Sequence, residues 1–323
     1  MFGVRVNRMR RTMVVVAALA AAAAVATPAT AETETETDAV AAAATLAGAW
    51  APLNRCPVDA AAMRAADGIA VVAACLSSVS STGTITLGGT TLTTGTNDLQ
   101  LGLLNQSGTY SVVAPSGGAV IGAPVQIPGG LLGLMCPSDI PLISDICDQV
   151  VDSSLNRVTA TIEAAGAPSD FSLAAGLGVG QPILTLPIKI RLSNPFLEPN
   201  CYIGSNSDPI LLKPANLTRP TGKVVRFNAD GSPSATGEMG YVSLSGASQG
   251  DSTFAVPGAN GCGLFGLLSG AVNLKQGLPS PAGENSLVLD NPTTNVGGFQ
   301  LPRNFAPTQG QQLADRWHAA VVS

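Results

Sequence analysis

Residues 182–193, PILTLPIKIRLS, impose the strongest constraint on how this chain can fold. Apolar side chains recur there at every second position, and the positions between them include Thr185, Lys189 and Arg191. Strict alternation of this kind predicts a β-strand with one buried and one solvated face. The buried face comprises Leu184, Leu186, Ile188, Ile190 and Leu192. Pro187 lies on the outer face and has no N–H to donate, so the strand is predicted to be at a sheet edge or interrupted.

Similar short runs, separated by glycine, proline, asparagine and serine, fill most of the chain after Cys56. Three stretches have helical spacing of apolar residues instead, namely 138–154, 263–277 and 310–322, and Gly277 is a predicted helix stop. The patterns together predict a mainly β fold, a disulfide-stapled β-sandwich or barrel with a few short helices.

Two segments rich in glycine and leucine, GGLLGLM at 129–135 and GLFGLL at 263–268, could form an apolar surface. Leu264, Leu267, Leu268, Ala271 and Leu274 are predicted to share one face of the helix in 263–277. Burial in the core is the predicted fate of both segments.

The six cysteines are predicted to form three disulfides between neighbours in sequence. The predicted pairs are Cys56 with Cys75, Cys136 with Cys147, and Cys201 with Cys262. Other pairings stay open, since spacing alone does not fix connectivity. A zinc site is disfavoured because no two cysteines are two to four residues apart and the chain has a single histidine. A thiol nucleophile is disfavoured because every cysteine has a candidate partner and the chain is predicted to be exported.

The N-terminal residues 1–31 have the composition of a secretory signal peptide. Four arginines precede an uncharged run at 13–26, and Ala-Thr-Ala at 29–31 fits the small-residue cleavage pattern. Residues 32–55 are predicted to be a low-complexity leader, acidic and alanine-rich, and residues 56–323 a secreted β-rich region of one or two domains. The predicted location is extracellular, with association to the cell envelope as a variant.

Charge and hydropathy limit the partners. The chain has 16 basic and 21 acidic residues, and the predicted signal peptide holds four of the basic ones. Nucleic acid is therefore not an expected partner, because binding phosphates requires clustered basic residues. The stretch 171–188 carries no charge, but its prolines and glycines disfavour a membrane-spanning helix. No transmembrane span is predicted in the mature chain, and a lipid-facing β-barrel is the alternative.

The clearest candidate for catalysis is GASQG at 246–250, which matches the G-x-S-x-G motif of serine hydrolases. Ser248, Asp290 or Asp315, and His318 occur in the chain order of an α/β-hydrolase triad. That motif requires a strand before the serine and a helix after it, and DSTFAVPG at 251–258 has no helical pattern. A non-catalytic serine is therefore favoured.

Two further motifs are weak. GCGLFG at 261–266 satisfies the spacing of a dinucleotide-binding loop, but no βαβ pattern surrounds it, so a turn that begins a helix is favoured and no cofactor is predicted. Asp145, Asp148 and Asp152 share a face of the predicted helix 138–154 and could hold calcium. A solvated acidic face is the favoured interpretation, so no metal is predicted.

Three stretches carry a resemblance to other proteins: 129–149, 176–212 and 253–291. They resemble a family of uncharacterised secreted proteins from actinobacteria, over most of the chain from about Cys56 to about Asn291. The resemblance implies an exported or envelope-associated product and supplies no catalytic residues.

Two functional hypotheses follow from the sequence. The first is a non-enzymatic extracellular or cell-envelope protein that binds an unknown partner, such as an apolar ligand or an envelope polymer, or that has a structural role. The alternative is a secreted serine hydrolase that uses Ser248 and His318. A structure distinguishes them, because a hydrolase must hold the serine within hydrogen-bonding reach of its base.

Overall fold

The computed structural model of the protein describes residues 44–136, 154–300 and 307–322. The predicted signal peptide, and all but the last residue of the predicted helix 138–154, lie outside these ranges. Within them the chain forms two antiparallel sheets and a few short helices. The prediction of a mainly β, disulfide-bonded fold is therefore confirmed.

The larger sheet contains 13 strands. They are β1 (Val72–Ser80), β4 (Asn97–Gln106), β5 (Thr109–Val113), β6 (Val120–Gly122), β7 (Val125–Gln126), β8 (Thr159–Ala164), β9 (Leu186–Ser193), β10 (Tyr202–Ile203), β11 (Ile210–Leu212), β13 (Thr221–Phe227), β14 (Met239–Ser245), β16 (Ala259–Asn260) and β18 (Thr293–Gln300). Their order is β13-β14-β18-β1-β4-β6-β8-β9-β10-β16, with β5 paired to β4, β7 to β8 and β11 to β9.

The smaller sheet has five strands in the order β12-β15-β17-β2-β3. They are β2 (Gly83–Leu87), β3 (Thr90–Thr94), β12 (Ala215–Asn216), β15 (Gln249–Asp251) and β17 (Ser286–Leu289). The helices are α1 (Ala61–Arg64), α2 (Gly130–Met135), α3 (Leu173–Leu177), α4 (Ser269–Gln276) and α5 (Gln309–Ala319), with 3₁₀ turns at Gly48–Leu53, Ser154–Asn156 and Leu264–Gly266.

Strand β9 confirms the alternation on which the fold prediction depended. Buried and half-buried residues alternate along its whole length, from buried Leu186 to half-buried Ser193. One side of β9 pairs with β8, and the other side pairs with two short strands, β11 opposite Pro187 and β10 further along. The proline therefore lies in a strand whose ladder is interrupted on one side, as its missing N–H predicts.

The two sheets pack face to face. Ile85 and Leu92 of the smaller sheet line the same narrow space as Ala160, Ile162 and Ile190 of the larger one. Their side chains belong to one buried apolar cluster that extends over most of both sheets. The arrangement resembles a sandwich, and burial of both inner faces is what holds the sheets together.

The larger sheet is also covered on its outer face, and strand β1 shows why. Ala74 and Leu76 point into the space between the sheets, whereas Ala73 and Cys75 belong to a second buried cluster on the opposite side. Because successive side chains of a strand point to opposite faces, a strand covered on both sides becomes continuously apolar. This explains the run of buried residues in β1, which the alternation rule alone does not predict.

The second cluster joins the two ends of the described chain. Trp50 and Leu53, from the 3₁₀ turn, have no exposed surface and pack with Leu313 and Trp317 of α5. The Trp317 indole donates a hydrogen bond of 2.8 Å to the carbonyl oxygen of Leu53. Residues 44–55 of the predicted leader 32–55 are therefore part of the packed fold.

A buried glutamine attaches α5 to the sheet. The Gln309 side chain is fully buried, accepts a hydrogen bond from the Ala73 N–H and donates one to the Ala73 carbonyl, both of 2.8 Å. The pairing of β1 with β18 begins only at Cys75. At Ala73, where β18 no longer pairs with β1, the Gln309 amide makes the two hydrogen bonds that a neighbouring strand would make. The buried N–H and carbonyl of Ala73 are therefore both satisfied.

Two of the predicted disulfides are present in the described residues. Cys56 bonds to Cys75 with their Cα atoms 5.6 Å apart, and Cys201 bonds to Cys262 with their Cα atoms 4.2 Å apart. Cys136 is also disulfide-bonded, and its predicted partner Cys147 lies outside the described residues. The sequential pairing is confirmed for the two bonds whose cysteines are both described.

The predicted helix at 263–277 forms in part, but its predicted burial is wrong. A 3₁₀ turn and α4 occupy the segment, and Gly277 ends α4 in the left-handed conformation, as predicted. Leu268 and Ala271 are buried, whereas Leu264, Leu267 and Leu274 are exposed. Leu264 and Leu267 belong to the turn before α4, and within α4 Ala271 and Val272 are buried whereas Leu274 is exposed. The segment at 129–135 is buried as predicted, through Leu131, Leu134 and Met135.

The loop before β1 gives a pH prediction. The Asp67 carboxylate accepts hydrogen bonds from the N–H groups of Val71, Ile69 and Ala70 at 2.7–3.0 Å, and these bonds lower its pKa from the ordinary value of 3.8. A carboxyl group whose pKa is lowered by folding stabilises the folded state. This stabilisation is fully present above the unfolded pKa of 3.8, and it is lost as the pH falls through the lower pKa of the folded state. We therefore expect the melting temperature to fall below about pH 4, and to fall less in Asp67→Asn.

Melting curves between pH 2 and pH 6 check this expectation, with Glu284→Gln, at an exposed position, as the control. Equal slopes in the wild type and in Asp67→Asn would contradict it.

Candidate functional site

An apolar cavity of about 90 Å³ lies between the two sheets. Its lining includes 27 of the described residues, and none of them is ionisable. Most are aliphatic, and the polar ones are Ser78, Ser80, Asn97, Asn216, Ser245, Gln249 and Thr294. We call this cavity, whose lining comes from both sheets and from α3, the slot.

The inner faces of two neighbouring central strands form the floor of this slot. On β1 the inward positions carry Leu76, Ser78 and Ser80, and on β18 they carry Thr294 and Val296. The inward residues of β1 become smaller toward its C-terminal end, where Ser78 is opposite Thr294 of β18. Space is left where Ser78 and Ser80 follow Leu76 on this face.

The smaller sheet and α3 complete the slot. Leu287 and Leu289 of β17 line one wall, and Phe171 and Leu173 extend over it from the α3 region. Ser172 starts α3 by accepting a hydrogen bond of 3.2 Å from the Ala175 N–H, as an N-cap residue does. The Phe171 ring packs edge-on against Tyr110 with ring centres 5.3 Å apart, which fixes its position.

Six of the seven polar side chains of the lining have hydrogen-bond partners within the protein, and the seventh, Ser245, is exposed. The hydroxyls of Ser78 and Thr294 hydrogen-bond each other at 2.7 Å, and the Ser80 hydroxyl donates to the Thr82 carbonyl at 2.6 Å. The Asn97 amide donates to the Gly95 carbonyl at 2.9 Å. Groups satisfied in this way do not attract a polar ligand, so the interior favours an apolar one.

Asn216 closes one end of the slot. Its side chain is buried, donates to the carbonyls of Gly176 and Gly178 at 2.8 and 3.0 Å, and accepts from the Gln249 amide at 3.2 Å. These bonds attach the end of α3 to β12. Beside this junction Leu177, Val179 and Leu217 are about half exposed, so an apolar rim adjoins the polar closure.

A second space of about 20 Å³ continues from the slot. Asn97 and Ile162 line both. Thr94 lines the smaller space, and its buried hydroxyl has no hydrogen-bond partner among the described residues. The slot therefore extends toward the centre of the sandwich.

The charged residue that precedes Phe171 lies outside the slot. Asp170 is exposed, and hydrogen bonds from the side chains of Ser169 and Thr185 lower the pKa of its carboxyl, with a smaller contribution from Lys213. The carboxylate is held by its neighbours in the loop, and it leaves the lining neutral.

The residues of the predicted hydrolase are not brought together. Ser248 lies between β14 and β15, and β15 begins at the next residue, so no helix follows the serine. The exposed Asp290 donates its backbone N–H to the Thr82 carbonyl at 2.9 Å. No hydrogen bond joins Ser248, Asp290 and His318, all three of which are described.

His318 is held elsewhere, on α5. Its Nε2 lies 2.9 Å from both carboxylate oxygens of Asp59, on the protein surface. Arg316 of the same helix forms an ion pair of 2.8 Å with Glu238, next to the first residue of β14. Ser248 lies beyond the other end of that seven-residue strand. At about 3.3 Å per residue β14 spans roughly 20 Å, so the structure offers Ser248 no base from His318.

The described geometry does not support the dinucleotide-loop candidate, and the calcium candidate lies outside the described residues. GCGLFG at 261–266 contains a disulfide-bonded cysteine and follows a two-residue antiparallel strand, not the parallel strand of a dinucleotide site. Asp145, Asp148 and Asp152 lie outside the described residues, within which no metal-ligating cluster occurs. No helix in those ranges is long and apolar enough to cross a membrane.

Fold and cavity together define a disulfide-bonded protein of two antiparallel sheets that enclose a neutral, apolar slot. No family model, curated protein or solved structure matches the chain. The slot was not predicted from the sequence. The sequence feature that indicates the slot is the change from Leu76 to Ser78 and Ser80 on the inward face of β1. This feature can be recognised only when the pairing of β1 with its neighbours is known.

Proposed function

We propose that this is an exported, non-enzymatic protein that binds a slender apolar ligand, such as an acyl chain, in the slot between its sheets. The observation that carries the proposal is the neutral lining, whose Ser78, Ser80, Asn97 and Thr294 are already hydrogen-bonded within the protein. Such a site gains free energy from apolar contact alone, at about 25 cal/mol per Å² removed from water.

The size of the slot supports an extended ligand. A water molecule needs roughly 10–15 Å³ of such space, and an engineered apolar cavity of about 150 Å³ accepts benzene. The slot, at about 90 Å³, is smaller than the benzene site but is touched by residues of both sheets and α3. An extended hydrocarbon chain, which can contact both sheets and α3 with little bulk, is therefore the ligand we propose.

Export is supported by the signal-like residues 1–31 and by the disulfides, which are compatible with an extracellular location. The resemblance to secreted actinobacterial proteins points the same way. A binding role is preferred to hydrolysis because His318 is paired with Asp59, and its helix contacts the end of β14 that is opposite to Ser248.

Filling the slot is expected to abolish ligand binding. Ala247 lines it and is 4% exposed, so Ala247→Leu directs three additional carbons into it. We expect affinity for a fluorescent polyene fatty acid to fall at least tenfold, equivalent to about 1.4 kcal/mol, because the chain and the new side chain occupy the same space. Fluorescence titration of the secreted protein measures the change.

Ala62→Leu, at an exposed position of α1, is the matched control and should leave affinity unchanged. Native mass spectrometry of the freshly secreted protein provides a second measurement, since a bound lipid adds a discrete mass. Wild-type protein that binds no fatty acid and carries no apolar molecule would refute the proposed function.

A further inference from the structure

The turn and helix at 263–276 expose apolar side chains that a soluble fold usually buries. Phe265 is 93% exposed and Leu274 80%, and Leu264 and Leu267 are each more than 60% exposed. Leu274 is the exposed leucine of α4, and Leu267 lies between the 3₁₀ turn and α4. We call these four side chains the apolar tip.

The apolar tip is held rigidly. Cys262, directly before the turn, is bonded to Cys201. The Gly263 N–H donates to the Leu197 carbonyl at 2.8 Å, and the Gln276 amide donates to the carbonyls of Gly133 and Leu134 in α2. Phe265 itself has φ of +55°, a conformation that non-glycine residues rarely adopt. The backbone thus fixes the Phe265 ring in an outward position, where burial in the core does not stabilise it.

The charge around the apolar tip differs from that of the rest of the chain. Residues 252–283 contain one charged side chain, the exposed Lys275, which is adjacent to Leu274. The whole chain carries a net charge of −5. Among the described elements packed on this segment, α2 has no charged residue and the loop at 194–200 contributes Glu198. An acidic protein therefore offers a nearly uncharged apolar surface with one cation at its edge.

We propose that the apolar tip inserts into an anionic lipid surface. The outward-pointing Phe265 suits the boundary between headgroups and acyl chains, into which aromatic and leucine side chains insert. Lys275 would meet the anionic headgroups beside it. None of the four side chains of the tip lines the slot. The inference therefore does not depend on the proposed function.

Vesicle co-sedimentation of the full secreted protein tests the proposal. Phe265→Asn is the main variant, because asparagine tolerates the positive φ and the native side chain is nearly fully exposed, so folding should be retained. We expect the wild type to bind phosphatidylcholine vesicles that contain phosphatidylglycerol, and the variant to bind them roughly tenfold to hundredfold more weakly. Leu274→Gln, which preserves helix propensity, should have a smaller effect in the same direction.

Two controls make the test specific. Val224→Thr replaces an apolar side chain that is 64% exposed on β13 and should leave binding unchanged. Lys275→Gln should weaken binding to the anionic vesicles more than to vesicles of phosphatidylcholine alone. Absence of wild-type binding would overturn the proposal, as would a concentration-dependent dimer that Phe265→Asn converts to monomer, because the tip would then be a contact between copies of the chain.

Discussion

Replacing both Cys201 and Cys262 by alanine is expected to lower the free energy of unfolding by about 4 kcal/mol. The bond joins residues 61 positions apart, and closing a loop of that length in the unfolded chain removes much of its conformational entropy. Both cysteines are fully buried, so lost packing adds to the effect. Since domains of this kind are stable by about 5–15 kcal/mol, the loss is a large fraction of the total.

Urea or guanidinium unfolding of the non-reduced proteins measures this loss. The matched comparison is the Cys56→Ala, Cys75→Ala variant, whose loop is 19 residues long and whose predicted cost is about 3 kcal/mol. A smaller effect for the longer loop would show that the entropy of the unfolded chain does not dominate. An unchanged midpoint in both variants would contradict a stabilising role for the disulfides.

The features that the sequence predicted correctly depend on local spacing. Strand β9 shows its alternation within eight residues, Gly277 ends α4 because it tolerates a positive φ, and α5 coincides closely with the apolar spacing at 310–322. The pairs Cys56–Cys75 and Cys201–Cys262 also join neighbouring cysteines in the sequence. In each case the information lies close to the residues concerned.

The features that were missed depend on what packs opposite. Residues 46–53 resemble a leader in composition, yet Leu46, Trp50 and Leu53 are buried, because Phe227 and α5 come from distant parts of the chain to cover them. Leu264 and Leu274 have core-like composition but are exposed, because α4 turns Leu268 and Val272 inward. The slot arises from the pairing of β1 with β18, more than two hundred residues apart.

The two apolar features also differ in kind. The slot lies in the interior, where both sheets contribute aliphatic side chains and every described polar neighbour except Thr94 has a hydrogen bond or is near the surface. The apolar tip is external and is supported by a disulfide. A variant of Ala247 should change ligand binding without changing vesicle binding, and a variant of Phe265 should do the reverse. The two proposals can therefore fail separately.

Replacing Trp50 by alanine is expected to lower the free energy of unfolding by about 3–5 kcal/mol, as for large aromatic side chains in a core. Trp50 is fully buried, its ring meets Phe227 edge-on with ring centres 5.3 Å apart, and its indole N–H donates a bond of 3.0 Å to the Ala229 carbonyl. Alanine leaves a cavity and removes the partner of that carbonyl. The effect is large for a residue in the segment predicted to be a leader.

Trp50→Phe separates the two contributions, because it keeps an aromatic ring against Phe227 and loses the hydrogen bond to Ala229. We expect this variant to cost about 1–3 kcal/mol, less than the alanine variant. Denaturant unfolding of both proteins gives the comparison. A cost of less than about 1 kcal/mol for Trp50→Ala would contradict this expectation. It would show that the packing of residues 46–53 on Ala73 and Cys75 of β1 contributes little to the stability of the fold. A full loss would instead show that the second cluster requires the N-terminal segment as much as it requires α5.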